Sequence, residues 1–300
     1  MPPTPNAFHT VAIVGRYNSP SIAAPLKRLA EFLTGRGLTV ILEAETARAA
    51  PLPAYATATA EEIGPAADLV IVLGGDGTML SIARQLAPHD VPIIGINQGR
   101  LGFLTDVALS DMEAVLADML AGQYSEEKRI LLASEILQDD TVLHRALALN
   151  DVVLSRGESG GMLDCDVSID GQFVYAMRAD GLIVTTPTGS TAYALAAQGP
   201  ILHPQVEAFA LVPVAPHALT NRPIVVSDQC EIVIKLLRGP ETGLHFDGQS
   251  TFQLHEGDAI RLRRAPHRVR LLHPRNYDYF SMLRQKLHWS ETPDKLYPHF

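Results

Sequence analysis

The chain has 300 residues, 47% of them hydrophobic and 19% charged, with a formal net charge of −9. That composition is globular rather than disordered, long enough for one large or two ordinary domains, and too acidic for a general nucleic-acid binder. No apolar run approaches the roughly 18 residues that cross a bilayer, no basic-then-apolar leader opens the chain, and Cys165 and Cys230 fit neither a disulfide framework nor a zinc site. A reducing, cytoplasmic setting with no membrane partner is the expectation.

Residues 10 to about 125 alternate between strand and helix. Thr10-Val-Ala-Ile-Val-Gly15 reads as a buried strand, and Ile22, Leu26, Leu29, Ala30 and Leu33 recur at helical spacing up to a Gly-Arg-Gly stop. Strands are expected at 39–42, 68–73 and 91–96, with helices at 79–86 and 111–121. Strands interleaved with helices imply a parallel sheet with crossover connections. The expected fold of residues 1–126 is therefore a doubly wound, Rossmann-like α/β domain, with ligands at the carboxyl ends of its strands.

From about Glu127 the rhythm changes. Short strands are expected at 129–137, 142–149, 165–169, 173–177, 182–186, 210–214, 231–237 and 259–263, separated by turns such as Asp170-Gly171 and Glu256-Gly257-Asp258. Residues 127–275 read as an all-β, sandwich-like domain, and the segment 276–300 as a helix returning to the first domain. Arg261, Arg263, Arg264, Arg268, Arg270 and Arg275 alternate with apolar residues, which suits two strands with one solvated face better than a nucleic-acid patch.

The chemistry concentrates at Gly74-Gly75-Asp76-Gly77-Thr78, between a buried strand and a helix. Glycines there let backbone N–H groups approach phosphate oxygens, and the helix N-terminus adds partial positive charge. A carboxylate among such amides repels a phosphate unless it holds Mg²⁺ or accepts a proton from an attacking hydroxyl. It could equally cap the helix. The loop lacks the Lys-Ser or Lys-Thr of a P-loop, and Leu80 stands where a dinucleotide fingerprint has its third glycine.

Gly74-Gly75-Asp76-Gly77-Thr78 resembles the signature shared by NAD kinases, diacylglycerol and sphingosine kinases and 6-phosphofructokinases. Three further segments, in order, resemble NAD kinases: Gly95-Ile-Asn-Gln-Gly-Arg-Leu-Gly-Phe-Leu-Thr105, Leu149-Asn-Asp-Val-Val153, and the run from Asp180 to Tyr193. The resemblance implies transfer of the γ-phosphoryl of ATP to the 2′-hydroxyl of the adenosine ribose of NAD, giving NADP. It implies Asp76 as the base, with Gly74, Gly75, Gly77 and Thr78 as phosphate loop and Gly77 also beside the substrate. Phe103, Asn150, Asp151, Arg178, Asp180, Thr191, Ala192, Tyr193, Ala194, Ala196 and Gln249 are then implied to bind NAD. Asp151 replaces the family's usual Glu, and Gly160-Gly161 stands near a position that often carries a basic residue. Arg178 and Asp180, two apart, are expected on one face, and an Arg there goes with preference for NAD over NADH; the competing reading is an exposed cross-strand ion pair. The resemblance also implies Mg²⁺ or another divalent ion arriving with ATP, no protein metal site, and a homodimer or homotetramer.

Two other readings compete. A lipid or sugar kinase could share the loop, and a non-catalytic dinucleotide binder could share the rest. Gly157-Glu-Ser-Gly-Gly161 fits the Gly-x-Ser-x-Gly nucleophile elbow in letters, but a strand rather than a helix is expected after it. The eleven histidines show no metal-ligand spacing.

Overall fold

The computed structural model describes residues 8–15, 22–99, 102–157, 160–239 and 241–289. Its first part runs β1 (Thr10–Gly15), α1 (Ala23–Gly35), β2 (Thr39–Glu43), α2 (Ala44–Ala49), β3 (Ala56–Ala58), α3 (Ala60–Ala66), β4 (Leu69–Gly74), α4 (Asp76–Leu86), β5 (Ile93–Asn97), β6 (Val107–Ala108) and α5 (Met112–Leu120). The strands are parallel, in the order β3-β2-β1-β4-β5-β6. The winding reverses between β1 and β4, which opens a crevice at their carboxyl ends. Gly74 closes β4 at that crevice. Every residue of β4 is buried, as its unbroken apolar run requires of a central parallel strand. The stretch from α2 to α3 carries no clear sequence signal, being short, alanine-rich and interrupted by proline. A capping box between Thr59 and Glu62 starts α3 and satisfies its first amides.

The second part comprises β7 (Tyr124–Gln138), β8 (Thr141–Ala148), β9 (Asp151–Ser155), β10 (Leu163–Ile169), β11 (Gln172–Ala179), β12 (Gly181–Thr185), α6 (Tyr193–Ala196), β13 (Ala208–Val214), β14 (Ile224–Ser227), β15 (Ile232–Arg238), β16 (Gly243–Phe246), β17 (Ser250–Gln253), β18 (Ala259–Pro274) and α7 (Tyr279–Leu287). One antiparallel sheet has the order β14-β13-β12-β9-β16-β17. Facing it, β11-β10-β15-β18 and the β7-β8 hairpin form the other layer. Alternate residues interdigitate between the layers: Leu132, Val167, Ile234 and Ile260 from one, Leu154, Leu182, Phe209 and Phe246 from the other.

β18 joins the two parts, because Leu271 near its end pairs in parallel with Ile93 of β5. Twelve described strands thus share one continuous sheet, and residue 126 falls inside β7. The arginine-rich stretch forms this one long strand rather than two. A register shift between Arg264 and Arg268 absorbs the break, where Pro266 has no N–H to give the ladder. Its guanidiniums meet carboxylates: Arg261 meets Glu135, Arg264 meets Asp228, Arg268 meets Glu207 and Arg270 meets Glu126.

After β18 the chain turns into α7, capped by Asp278. Tyr279 and Phe280 pack against His203, and Lys286 Nζ lies 5.9 Å from the centre of the Phe103 ring. The helix therefore touches both parts. β10 follows the Gly157 segment, as expected, while Glu158 and Ser159, like Arg100, Leu101 and residues 290–300, lie outside the described residues.

Candidate active site

Gly75 precedes α4 in extended conformation, so Asp76 is the first helical residue. Both of its carboxylate oxygens accept from a loop about thirty residues on. Oδ2 accepts from the Phe103 amide at 2.8 Å; Oδ1 accepts from the Leu104 amide at 3.0 Å and the Thr105 hydroxyl at 3.2 Å. Thr105 Oγ1 in turn accepts from Asn97 Nδ2 at 2.9 Å. A Cβ on Gly102 would stand 2.0 Å from Asp76 Oδ1. Glycine at 102 is what allows this loop to lie against the acid, which explains the second glycine-rich element. Asp76 is therefore held in one orientation rather than free to cap its own helix.

A second carboxylate organises the β-rich side. Asp247, in the turn between β16 and β17, has a fully buried side chain that accepts from the amides of Leu149, Asn150 and Asp151 at 3.0, 2.8 and 3.1 Å. It also pairs with Arg84 of α4. Beside it, Gln249 accepts from Arg84 Nη2 at 2.7 Å and donates to the Gly77 carbonyl at 2.6 Å. One turn thus locks the glycine-loop helix to the Asn150-Asp151 segment. Asp151 is itself buried, and its pKa is pushed up to about 7, first by burial and then by the Asp247 carboxylate.

Between these anchors runs a cleft of three adjoining hollows. The innermost, about 210 Å³, is walled by Asp76, Phe103, Arg129, Asn150, Thr188, Thr191, Ala192 and Tyr279 among others. The next, about 350 Å³, shares Asn150 and Ala192 and adds Asp151, Tyr193 and His245. The outermost, about 640 Å³, shares Tyr193 and His245 and adds Arg156 and Asp180. The structure therefore brings together Asp76, Phe103, Asn150, Asp151, Asp180, Thr191, Ala192 and Tyr193, with Gly77 and Gln249 bonded to each other at the edge.

Three of the expected residues stand elsewhere. Arg178 forks onto Asp164 at 2.6 and 2.8 Å, its partner across the β10-β11 register, and walls none of the three hollows. It does not pair with Asp180, because β11 ends at Ala179 and strand alternation stops there; Asp180 accepts instead from Arg156 Nε at 2.8 Å. Ala194 is buried with Val153, Ile183 and Val212, and Ala196 faces a separate surface groove.

Sequence reasoning passed over Arg84, Arg129, Thr188, Asp247, His273 and Tyr279. Arg129 and His273 carry no clear signal, because each stands among other charged residues of its strand, β7 and β18. Arg129 Nη1 donates to Thr188 Oγ1 at 3.2 Å, and Nη2 donates to Glu127 Oε2 at 2.5 Å. Glu127 also bonds His273 Nε2 at 3.2 Å, whose Nδ1 lies 2.9 Å from Asp106 Oδ2. Burial alone would raise Glu127, but the His273 hydrogen bond and the Arg129 charge bring it down to about 2. Burial opposes charge on His273 too, yet its bonds to Asp106 and Glu127 raise its pKa. Among the described residues no cluster of three or more His, Cys, Asp or Glu side chains could hold a metal ion.

A carboxylate pinned at the mouth of a Rossmann-type crevice faces a cleft roofed by a β sandwich, an arrangement that fits a phosphotransferase acting on a nucleotide. Residues 11–124 match the ATP-NAD kinase N-terminal domain and residues 149–274 the ATP-NAD kinase C-terminal domain. The chain is 54% identical over 286 residues to an NAD kinase of Burkholderia thailandensis, covering 95% of this chain and 96% of that one. It is 53% identical over 287 residues to an NAD kinase of Aromatoleum aromaticum, covering 95% and 96%. Among solved structures it resembles a yeast NADH kinase complexed with NADH, with a TM-score of 0.85, 25% identity and coverage of 95% and 88%. It also resembles an NAD kinase from Archaeoglobus fulgidus in complex with ATP, with a TM-score of 0.74, 28% identity and coverage of 93% and 98%. The chain belongs to the ATP-NAD kinase family.

Proposed function

We propose that the cleft carries out the NAD kinase reaction with Asp76 as the base that receives the proton of the adenosine 2′-hydroxyl. That oxygen attacks the γ-phosphorus of ATP, the bond from phosphorus to the β–γ bridging oxygen breaks, and ADP and NADP result. Phosphoryl transfer asks the protein mainly for position and charge neutralisation. The observation that carries the assignment is the grip of the Phe103 and Leu104 amides on Asp76 at the wall of the innermost hollow.

On this reading Asn150, Asp151, Thr191, Ala192 and Tyr193 line the dinucleotide path, while Gly74, Gly75, Gly77 and Thr78 serve the phosphates. Phe103, Asp180 and Gln249 border the path. Arg178 is not part of this set. Mg²⁺ or another divalent ion comes with the triphosphate, held mainly by phosphate oxygens, and neutralises charge on them. The part before β7 carries the loop, β7 to β18 the dinucleotide contacts, and α7 the return across their junction. A cytoplasmic homodimer or homotetramer completes the proposal, and light scattering on the purified chain tests the assembly.

Incubation with NAD, ATP and Mg²⁺ should yield NADP, with phosphate on the adenosine 2′ position. Phosphorylation of a lipid or sugar in its place would defeat the assignment, as would NAD binding without turnover.

A further inference from the structure

The innermost hollow is walled by one cation and one anion among the described residues, Arg129 and Asp76. A lone acid beside a polyphosphate would repel it, so something in this space must answer the charge. Arg129 is 3% exposed and spends two of its five N–H groups, on Thr188 and Glu127. Its Nε is buried with no partner among the described residues. An unsatisfied donor on a buried guanidinium is costly unless a ligand completes it.

The residues behind Arg129 look built to hold it there. Asp106, His273, Glu127 and Arg129 form a buried row alternating acid, base, acid, base, ending in the guanidinium at the cavity wall. The row begins one residue after Thr105, which bonds Asp76. A single loop therefore sets the position of both the acid and the cation.

We propose that Arg129 binds a phosphoryl oxygen of the bound nucleotide, with Glu127 and His273 as positioning residues for its guanidinium. The inference rests on this cleft being the phosphoryl-transfer site. The oxygen belongs either to the pyrophosphate of NAD or to the triphosphate of ATP, and the same titrations separate them.

Calorimetric titrations of NAD, a non-hydrolysable ATP analogue and adenosine are made on wild type, Arg129→Gln and Arg129→Lys. The Gln variant should lose about tenfold or more in affinity for one of the two phosphate-bearing ligands, the size of a charge-assisted hydrogen bond, and bind adenosine as before. Loss confined to NAD identifies the pyrophosphate; loss confined to the analogue identifies the triphosphate. The Lys variant, which keeps the charge but not the fork, should fall between Gln and wild type. Should the Gln variant show no cooperative thermal transition, the Lys variant decides alone, by a loss of about threefold or more for one phosphate-bearing ligand. Unchanged affinity for both ligands, or an equal loss for adenosine, overturns the proposal. His273→Gln should weaken the same ligand as Arg129→Gln and leave adenosine alone; a general loss would make His273 merely structural. If the wild type makes no NADP, the functional reading has failed; if it does while the variants bind as wild type, only this inference has.

Discussion

Arg84 of α4 pairs with Asp247, 163 positions away, and Asp247 gathers three consecutive amides at Leu149, Asn150 and Asp151. With the Gln249 bonds to Arg84 and Gly77, this contact ties the glycine-loop helix to the β-rich part. Removing one member of a buried, hydrogen-bonded ion pair leaves the other charge stranded, at a cost of about 3–5 kcal/mol. Asp247→Ala should therefore lower the midpoint of thermal or denaturant unfolding substantially and weaken NAD binding in the folded fraction. An unfolding midpoint equal to wild type would show that the pair contributes little.

Asp76→Asn should reduce kcat by about 10²–10⁴, the usual contribution of a positioned general base, with the Kd for NAD changed only a few-fold. The amide would also set an NH₂ group against the N–H of Phe103 or Leu104, so some loosening of residues 102–105 is expected. Turnover within a factor of about two of wild type would remove Asp76 from the chemistry.

Gly102→Ala tests the same carboxylate from the other side. Its Cβ would overlap Asp76 Oδ1, so the loop and the acid cannot keep their present positions. Misplacing a reacting group by about 1 Å costs on the order of 10²-fold, and the loss should fall on kcat more than on the KM for NAD. A variant with wild-type kcat would refute the close approach.

Asp151 makes stability depend on pH. Its folded pKa of about 7 exceeds the ordinary aspartate value of 3.8, so the protonated form favours the fold. The stability it contributes is complete below about pH 4 and is lost as pH rises through 7. Asp151→Asn should remove that slope, raising stability at pH 8 relative to pH 4 by at most roughly 4 kcal/mol. His273, with a raised pKa, adds a slope of the same sign, so the difference between wild type and Asp151→Asn isolates Asp151. Parallel pH–stability curves for the two proteins would count against the assignment.

The sequence by itself determined the strand-helix rhythm of the first part, the turn to β structure near Glu127, and the family. Those signals are local: apolar runs of strand or helix period, and motifs whose residues are contiguous. It also singled out Asp76, an aspartate among three glycines between a buried strand and a helix. Tertiary structure alone decided what holds that acid. Asp76 is pinned by amides 27 and 28 positions away, and a backbone amide has no side-chain identity to betray it. Asp247 carries no signal along the chain, because its burial and three amide partners arise only when β16 docks on β9. Arg178 pairs with Asp164, because the β10-β11 register sets which carboxylate lies opposite. Motif and period are written along the chain; the partner of a buried charge is settled by which distant segments the fold packs against it.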